Sequence, residues 1–126
     1  PRQLTANETD DCQPVINESG TVAWQGDDGQ DKEIFIYTNG VTTQLTDNSI
    51  QDLAPQINAN GDVAWLVTDG PEHGIYLYVA GSQTIFKISD TPIGHHNFDI
   101  DLSNHHLVWS GSDGNDFDIT VASPAE

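Results

Sequence analysis

The sequence is short of cations. Arg2, Lys32 and Lys87 are the only three Lys or Arg in 126 residues, against 20 Asp and Glu, for a formal net charge of −17. So negative a surface repels phosphate backbones and anionic lipid, which sets nucleic acid and membrane surfaces aside as partners. It leaves cations or basic proteins, or a charge that serves solubility alone. The single cysteine, Cys12, excludes a disulfide within the chain, and its neighbours Asp10 and Asp11 are a poor setting for a nucleophilic thiolate. No apolar run approaches the ~20 residues of a membrane-spanning helix, and no export signal stands at the start. The chain opens on Pro1 without a Met, as a processed or trimmed product does. Helical periodicity is missing, as are a glycine-rich phosphate cradle, a zinc-spaced ligand pair and a nucleophile elbow.

Repetition is abundant. Val22-Ala23-Trp24, Val63-Ala64-Trp65 and Leu107-Val108-Trp109 each precede an Asp-Gly that begins four residues after the Trp and an Ile ten after it (Ile34, Ile75 and Ile119). Residues 3–43 align with 44–84 at an offset of 41: Gln3-Leu4-Thr5 meets Gln44-Leu45-Thr46, and Asp11, Pro14, Ile16, Asn17 and Gly20 meet Asp52, Pro55, Ile57, Asn58 and Gly61. A third, more diverged unit carries one extra residue, placed at 103–106.

Each unit reads as four short strands rich in Val, Ile, Tyr, Trp and Thr, punctuated by Gly, Asn, Asp and Pro. The first strands are expected at 13–17, 56–58 and 97–102, and the second at 21–25, 62–67 and 106–110. The third are expected at 33–38, 74–79 and 118–122, and the fourth at 42–46 and 83–89. Four strands in about 40–45 residues is the signature of a β-propeller blade, so the expected class is all-β, with blades over about 6–46, 47–89 and 90–122. Large Val and Trp alternating with small Thr and Ala along the second strands predict faces stacked blade on blade, with the tryptophans buried between them.

The pattern Gln-Leu-Thr, Pro-x-Ile, Gly-x-Val-Ala-Trp, Asp-Gly, Ile-Tyr-x-Tyr resembles the TolB-type, WD-like β-propeller repeat of bacterial proteins. The resemblance spans essentially the whole chain. It implies blades around a channel, usually six, in proteins commonly exported or periplasmic that act mostly as scaffolds for protein or ligand binding. It implies no catalytic residues. The chain departs from that pattern in lacking an Arg in the turn between second and third strands, and in having three units.

Residues 2–5 match a fourth strand with no blade before it, while the third unit ends at Ala122 after its third strand. Three blades are too few to close a ring, since rings have roughly four to eight. Two copies about a two-fold axis make six, with Arg2–Thr5 of each completing the last blade of the other; this homodimer is the expected assembly. The rival reading makes these residues part of a longer propeller.

The acidic turns at 27–33 and 113–118 put several carboxylates around a glycine, the donor type hard cations require. Asp27, Asp28, Asp31, Asp113, Asp116 and Asp118 are the candidate Ca²⁺ ligands, weighed against plain Asp-Gly hairpin turns. His95 and His96 precede the inner strand of the third unit and His105 and His106 follow it, so a strand's length separates the pairs. The leading functional expectation is a non-enzymatic binding or scaffold module that recognises a protein, peptide or glycan through acidic loops. The second is a hydrolase or lyase on the same ring, using carboxylates and His95 or His96.

Overall fold

The computed structural model describes residues 1, 3–67, 71–89, 100–102, 106–112 and 117–122, with backbone alone at 100–102, 108–112, 117, 118 and 120. Among these the chain is all-β, with eleven strands and no helix; no helix is long and apolar enough to cross a membrane. Sheet 1 is the antiparallel meander β1 (Asp11–Ile16), β2 (Val22–Asp27), β3 (Lys32–Thr38) and β4 (Val41–Gln44). Sheet 2 repeats it with β5 (Asp52–Ile57), β6 (Val63–Val67), β7 (Gly74–Val79) and β8 (Thr84–Ser89). Sheet 3 has β9 (Ile100–Leu102), β10 (Leu107–Ser112) and β11 (Phe117–Ala122), and β11 pairs with β10 alone among the described residues.

Local chemistry fixes the turns. Asn39 and Gly40 both take positive φ, 52° and 82°, giving the two-residue turn whose twist suits a β3–β4 hairpin. Asn17 Oδ1 accepts the backbone N–H groups of Ser19 and Thr21, and Asn58 Oδ1 those of Asn60 and Asp62, closing the β1–β2 and β5–β6 turns alike. The two asparagines also meet: Asn17 Nδ2 donates to the Asn58 carbonyl at 3.1 Å, tying sheet 1 to sheet 2.

The first strands begin earlier than expected, at Asp11 and Asp52 rather than 13 and 56. Pro55 lies outside its expected strand and Pro14 inside its own, but each is absorbed in a bulge whose preceding residue (Gln13 or Ala54) has φ 56°. The Ala54 N–H left outside the ladder donates to Gln25 Oε1 of sheet 1 at 2.9 Å. The fourth strand of sheet 1 ends at Gln44, although Leu45 N still donates to the Ile34 carbonyl. Residues 3–5 form no strand.

Side-chain alternation divides the core into two layers. Ala23, Ile34 and Ile36 of sheet 1 pack on Val63, Trp65, Val67 and Tyr78 of sheet 2. The opposite face of sheet 2, with Ala64, Leu66 and Ile75, packs on Leu107 and Ala122 of sheet 3. Trp65, at 1% exposure, is buried between sheets 1 and 2 as expected and stacked on Tyr76, whereas Trp24, at 4%, is buried on the face of sheet 1 that alternates with the one packed on sheet 2, stacked on Phe35 of its own sheet; the Trp109 side chain lies outside the described residues. Ile119 and Val121, which stand in β11 where Ile34 and Ile36 stand in β3, are 75% and 57% exposed.

Candidate metal centre

The acids gather where sheet 1 meets sheet 2. The β2–β3 turn supplies Asp28 and Asp31, and β3 supplies Glu33. The connection from β4 to β5 brings in Thr46, Asn48 and Gln51, and Asp52 opens β5. Asp28 shapes the turn: its Oδ1 accepts the N–H groups of Gln30 and Asp31, while its own N–H donates to the Asp31 carbonyl. The connection is pinned over β3 by Gln51 Oε1, which accepts Lys32 N, and by Thr46 Oγ1, which accepts Ile34 N, both at 2.9 Å.

Asp28, Asp31 and Glu33 bring a ligand oxygen each within 4.8 Å of one another. Asp31 is 7% exposed, Glu33 0% and Asp52 1%. Glu33 Oε2 accepts Asn48 N, and Asp52 Oδ1 accepts the Trp65 indole N–H. With every acid ionised, both oxygens of Asp31, Oε1 of Glu33 and Oδ2 of Asp52 are buried with no donor, and their hydrogen-bonding neighbours are other carboxyl groups, Asp28 for Asp31 and the Glu33–Asp52 pair for each other. Buried ionised carboxylates ordinarily have donors or a counter-charge, because desolvation is otherwise uncompensated.

The titration behaviour follows from this crowding. Burial first, then the neighbouring Asp52, pushes Glu33 up to about 8. Burial also raises Asp52, against hydrogen bonds first from Glu33 and then from Asn48, Trp65 and Thr46. Asp31 is raised by burial and then by the charge of Asp28, whereas Asp28 itself is lowered by the backbone N–H groups of Asp31 and Gln30. The strongest influences on the buried acids are desolvation and one another. A cavity of about 340 Å³, lined among others by Asn48, Asp52, Trp65, Glu72 and Tyr76, opens beside Asp52.

Of the expected ligands, the structure brings Asp28 and Asp31 together. Asp27 stands apart from the triad and accepts Gly29 N through Oδ1 at 2.7 Å. Asp113 and Asp116 lie outside the described residues, and Asp118 is placed by its backbone alone, opposite Gly111 as Glu33 is opposite Gly26. His95, His96 and His105 also lie outside the described residues, and His106 is exposed. Glu33 and Asp52 are absent from the sequence-based ligand set. The signal for Asp52 is its recurrence: Asp11 precedes Trp24 as Asp52 precedes Trp65, by 13 residues, and each bonds its indole, at 3.0 and 2.9 Å. The oxygen-only donor set suits a hard cation rather than a soft one. No known protein-family model matches the sequence, and no curated protein matches it.

Proposed function

We propose that the protein is a non-enzymatic binding and scaffold module, the half of a six-bladed β-propeller that a second copy completes. Sheets 1, 2 and 3 are its blades, consistent with the TolB-type resemblance of the sequence. The observation that carries this reading is the exposure of Ile119 and Val121. Their counterparts Ile34 and Ile36 are buried against the leading face of sheet 2, built from Val63, Trp65 and Tyr78. Sheet 1 carries the same types at the corresponding positions, Val22, Trp24 and Tyr37. The trailing face of sheet 3 and the leading face of sheet 1 are thus the two halves of an interface the chain already builds internally, and in a closed ring they meet across two copies.

The module's negative surface favours partners that bring positive charge, basic proteins or peptides foremost, at turns such as 27–31. Sedimentation velocity at micromolar concentration tests the assembly. A dimer is expected, with an interface on the order of 2,000 Å², and Ile119→Asp with Val121→Asp is expected to give monomers. A compact wild-type monomer, or an open-ended polymer, would overturn the closed ring of two.

A further inference from the structure

We propose that Asp28, Asp31 and Glu33 form a Ca²⁺ site that joins sheet 1 to the chain segment entering sheet 2, with Asp52 as the adjoining carboxylate. The proposal rests on atoms without partners rather than on acidity alone. With every acid ionised, four carboxylate oxygens, two of Asp31 and one each of Glu33 and Asp52, are buried with no donor, on side chains more than nine-tenths buried. Asp31 and Glu33 each bring one carboxylate oxygen together with one of Asp28 inside a 4.8 Å envelope. That spacing is close to the span that one ion with Ca–O bonds of about 2.3–2.6 Å bridges.

The surroundings provide little alternative compensation. The chain has three Lys and Arg in all, and Lys87 sits over the Tyr76 ring, 5.8 Å from its centroid. The Lys32 and Ile34 N–H groups on either side of Glu33 donate to Gln51 and Thr46 rather than to the acids. Among the described residues the one backbone N–H shown to reach Glu33 is that of Asn48, on Oε2, and the side-chain partner of Glu33 is another acid, Asp52. A hard divalent cation supplies the positive charge these oxygens lack, and Asp28, fixed by the Gln30 and Asp31 N–H groups, completes the site on its solvent side. Asp28, exposed to solvent, gives an ion access to the triad and leaves room for water in the remaining coordination positions.

The middle unit explains why the cluster is not general. In strand register Gly74 stands where Glu33 stands, opposite Val67 as Glu33 is opposite Gly26, so the buried acid is missing there. The site therefore belongs to the first sheet junction, within one chain, and its occupancy is independent of whether two copies associate.

The test uses the full chain after EDTA treatment. Ca²⁺ at millimolar concentration is expected to raise Tm by about 5 °C or more, and Tb³⁺ in place of Ca²⁺ is expected to emit on excitation of tryptophan, because Trp65 is bonded to Asp52 at the site's edge. Asp31→Asn and Glu33→Gln are expected to weaken binding at least ~10-fold, through loss of charged ligands. In EDTA, Asp31→Asn is expected to melt higher than the wild type, because it removes a crowded buried charge, and Glu33→Gln to melt no lower, because it keeps the shape of the protonated acid; this distinguishes a lost site from a lost fold. Asp27→Asn, outside the triad, is expected to keep the full response. Wild-type protein indifferent to Ca²⁺, a response retained in Asp31→Asn and Glu33→Gln, or an equal response to Mg²⁺ would overturn the assignment.

Discussion

The indole of Trp65 donates to Asp52 Oδ1 at 2.9 Å, so a core side chain holds one oxygen of an acid that is also paired with a second buried acid, Glu33. Packing and electrostatics are joined at that bond. Trp65 is the largest wholly buried side chain among the described residues, wedged between sheets 1 and 2, and its polar edge fixes where the Asp52 charge sits. Trp65→Ala is expected to cost about 3–5 kcal/mol in urea unfolding, the range for emptying a core aromatic site. Trp65→Phe keeps most of the volume but strands the acid, and is expected to fall between that variant and the wild type. A cost below about 1 kcal/mol for the alanine variant would contradict the central place given to this contact.

The acid cluster makes stability depend on pH in a sense opposite to that of a salt-bridged protein. Glu33 titrates at about 8 when folded and near 4.5 as an ordinary glutamate, so between those values the folded state holds more protons than the unfolded. Its contribution is fully present below about 4.5 and is lost as pH rises through about 8. Asp31 and Asp52 act in the same direction; Asp28, whose value is lowered, acts in the opposite one at more acid pH. Metal-free protein is thus expected to unfold at lower urea concentration at pH 8 than at pH 5.5. Ca²⁺ is expected to remove or reverse that trend, since the ion binds the deprotonated acids. A metal-free profile that rises steadily from pH 5.5 to 8 would contradict the raised Glu33.

Gly26 lies opposite Glu33 and beside the other tryptophan bond. A Cβ there would stand 2.5 Å from Asp11 Oδ1, the atom that accepts the Trp24 indole, and 3.0 Å from Phe35 Cε1. Gly26→Ala is expected to displace Asp11 and cost about 1–3 kcal/mol, the penalty for a buried polar group deprived of its partner. Circular dichroism melts of Gly26→Ala and Asp11→Ala check this, and the two losses are expected to overlap rather than add, because they break the same bond. Full additivity in the double variant would show that Gly26 acts elsewhere.

The all-β class was legible in the sequence because short Val, Ile, Tyr and Trp runs bounded by Gly and Asn leave no alternative to strands. Burial of Trp24 and Trp65 was legible for a related reason, the alternation of large and small side chains. The start of β5 at Asp52 was not, because Pro55 marks an end in sequence terms, and only the positive φ of Ala54 lets the strand pass through it. At the candidate centre, Asp28 and Asp31 announce themselves by acidic density in one turn. Glu33 reads as the polar lead of an apolar strand, and nothing local shows that it is buried. Asp52 is 19 residues further on and reaches Glu33 only because sheet 2 stacks on sheet 1.

The proposed closure of two copies makes a prediction at single-residue resolution. In sheet 1, Leu45 N donates to the Ile34 carbonyl at 2.7 Å, continuing the β3–β4 ladder by one residue. Gln44 Nε2 bonds the Thr46 carbonyl beside it. Residues 3–5 repeat that local geometry, for Gln3 Nε2 bonds the Thr5 carbonyl, yet Leu4 is 37% exposed. Leu4 is thus the counterpart of Leu45, and Ile119 that of Ile34. In a ring of two copies Leu4 of one lies opposite Ile119 of the other. Directly opposed antiparallel residues have Cα atoms about 4.5–5.5 Å apart, within reach of a disulfide. In a Cys12→Ser background, Leu4→Cys with Ile119→Cys is expected to oxidise to a covalent dimer with two cross-links, while either cysteine alone leaves monomers on denaturing gels. Leu4→Cys with Val41→Cys, whose second site is on the outer strand of sheet 1, is expected to stay uncross-linked. Monomeric chains with an internal Leu4–Ile119 disulfide would mean that the three sheets close on themselves, and cross-linked ladders of many chains would mean an open assembly; either would overturn the ring of two.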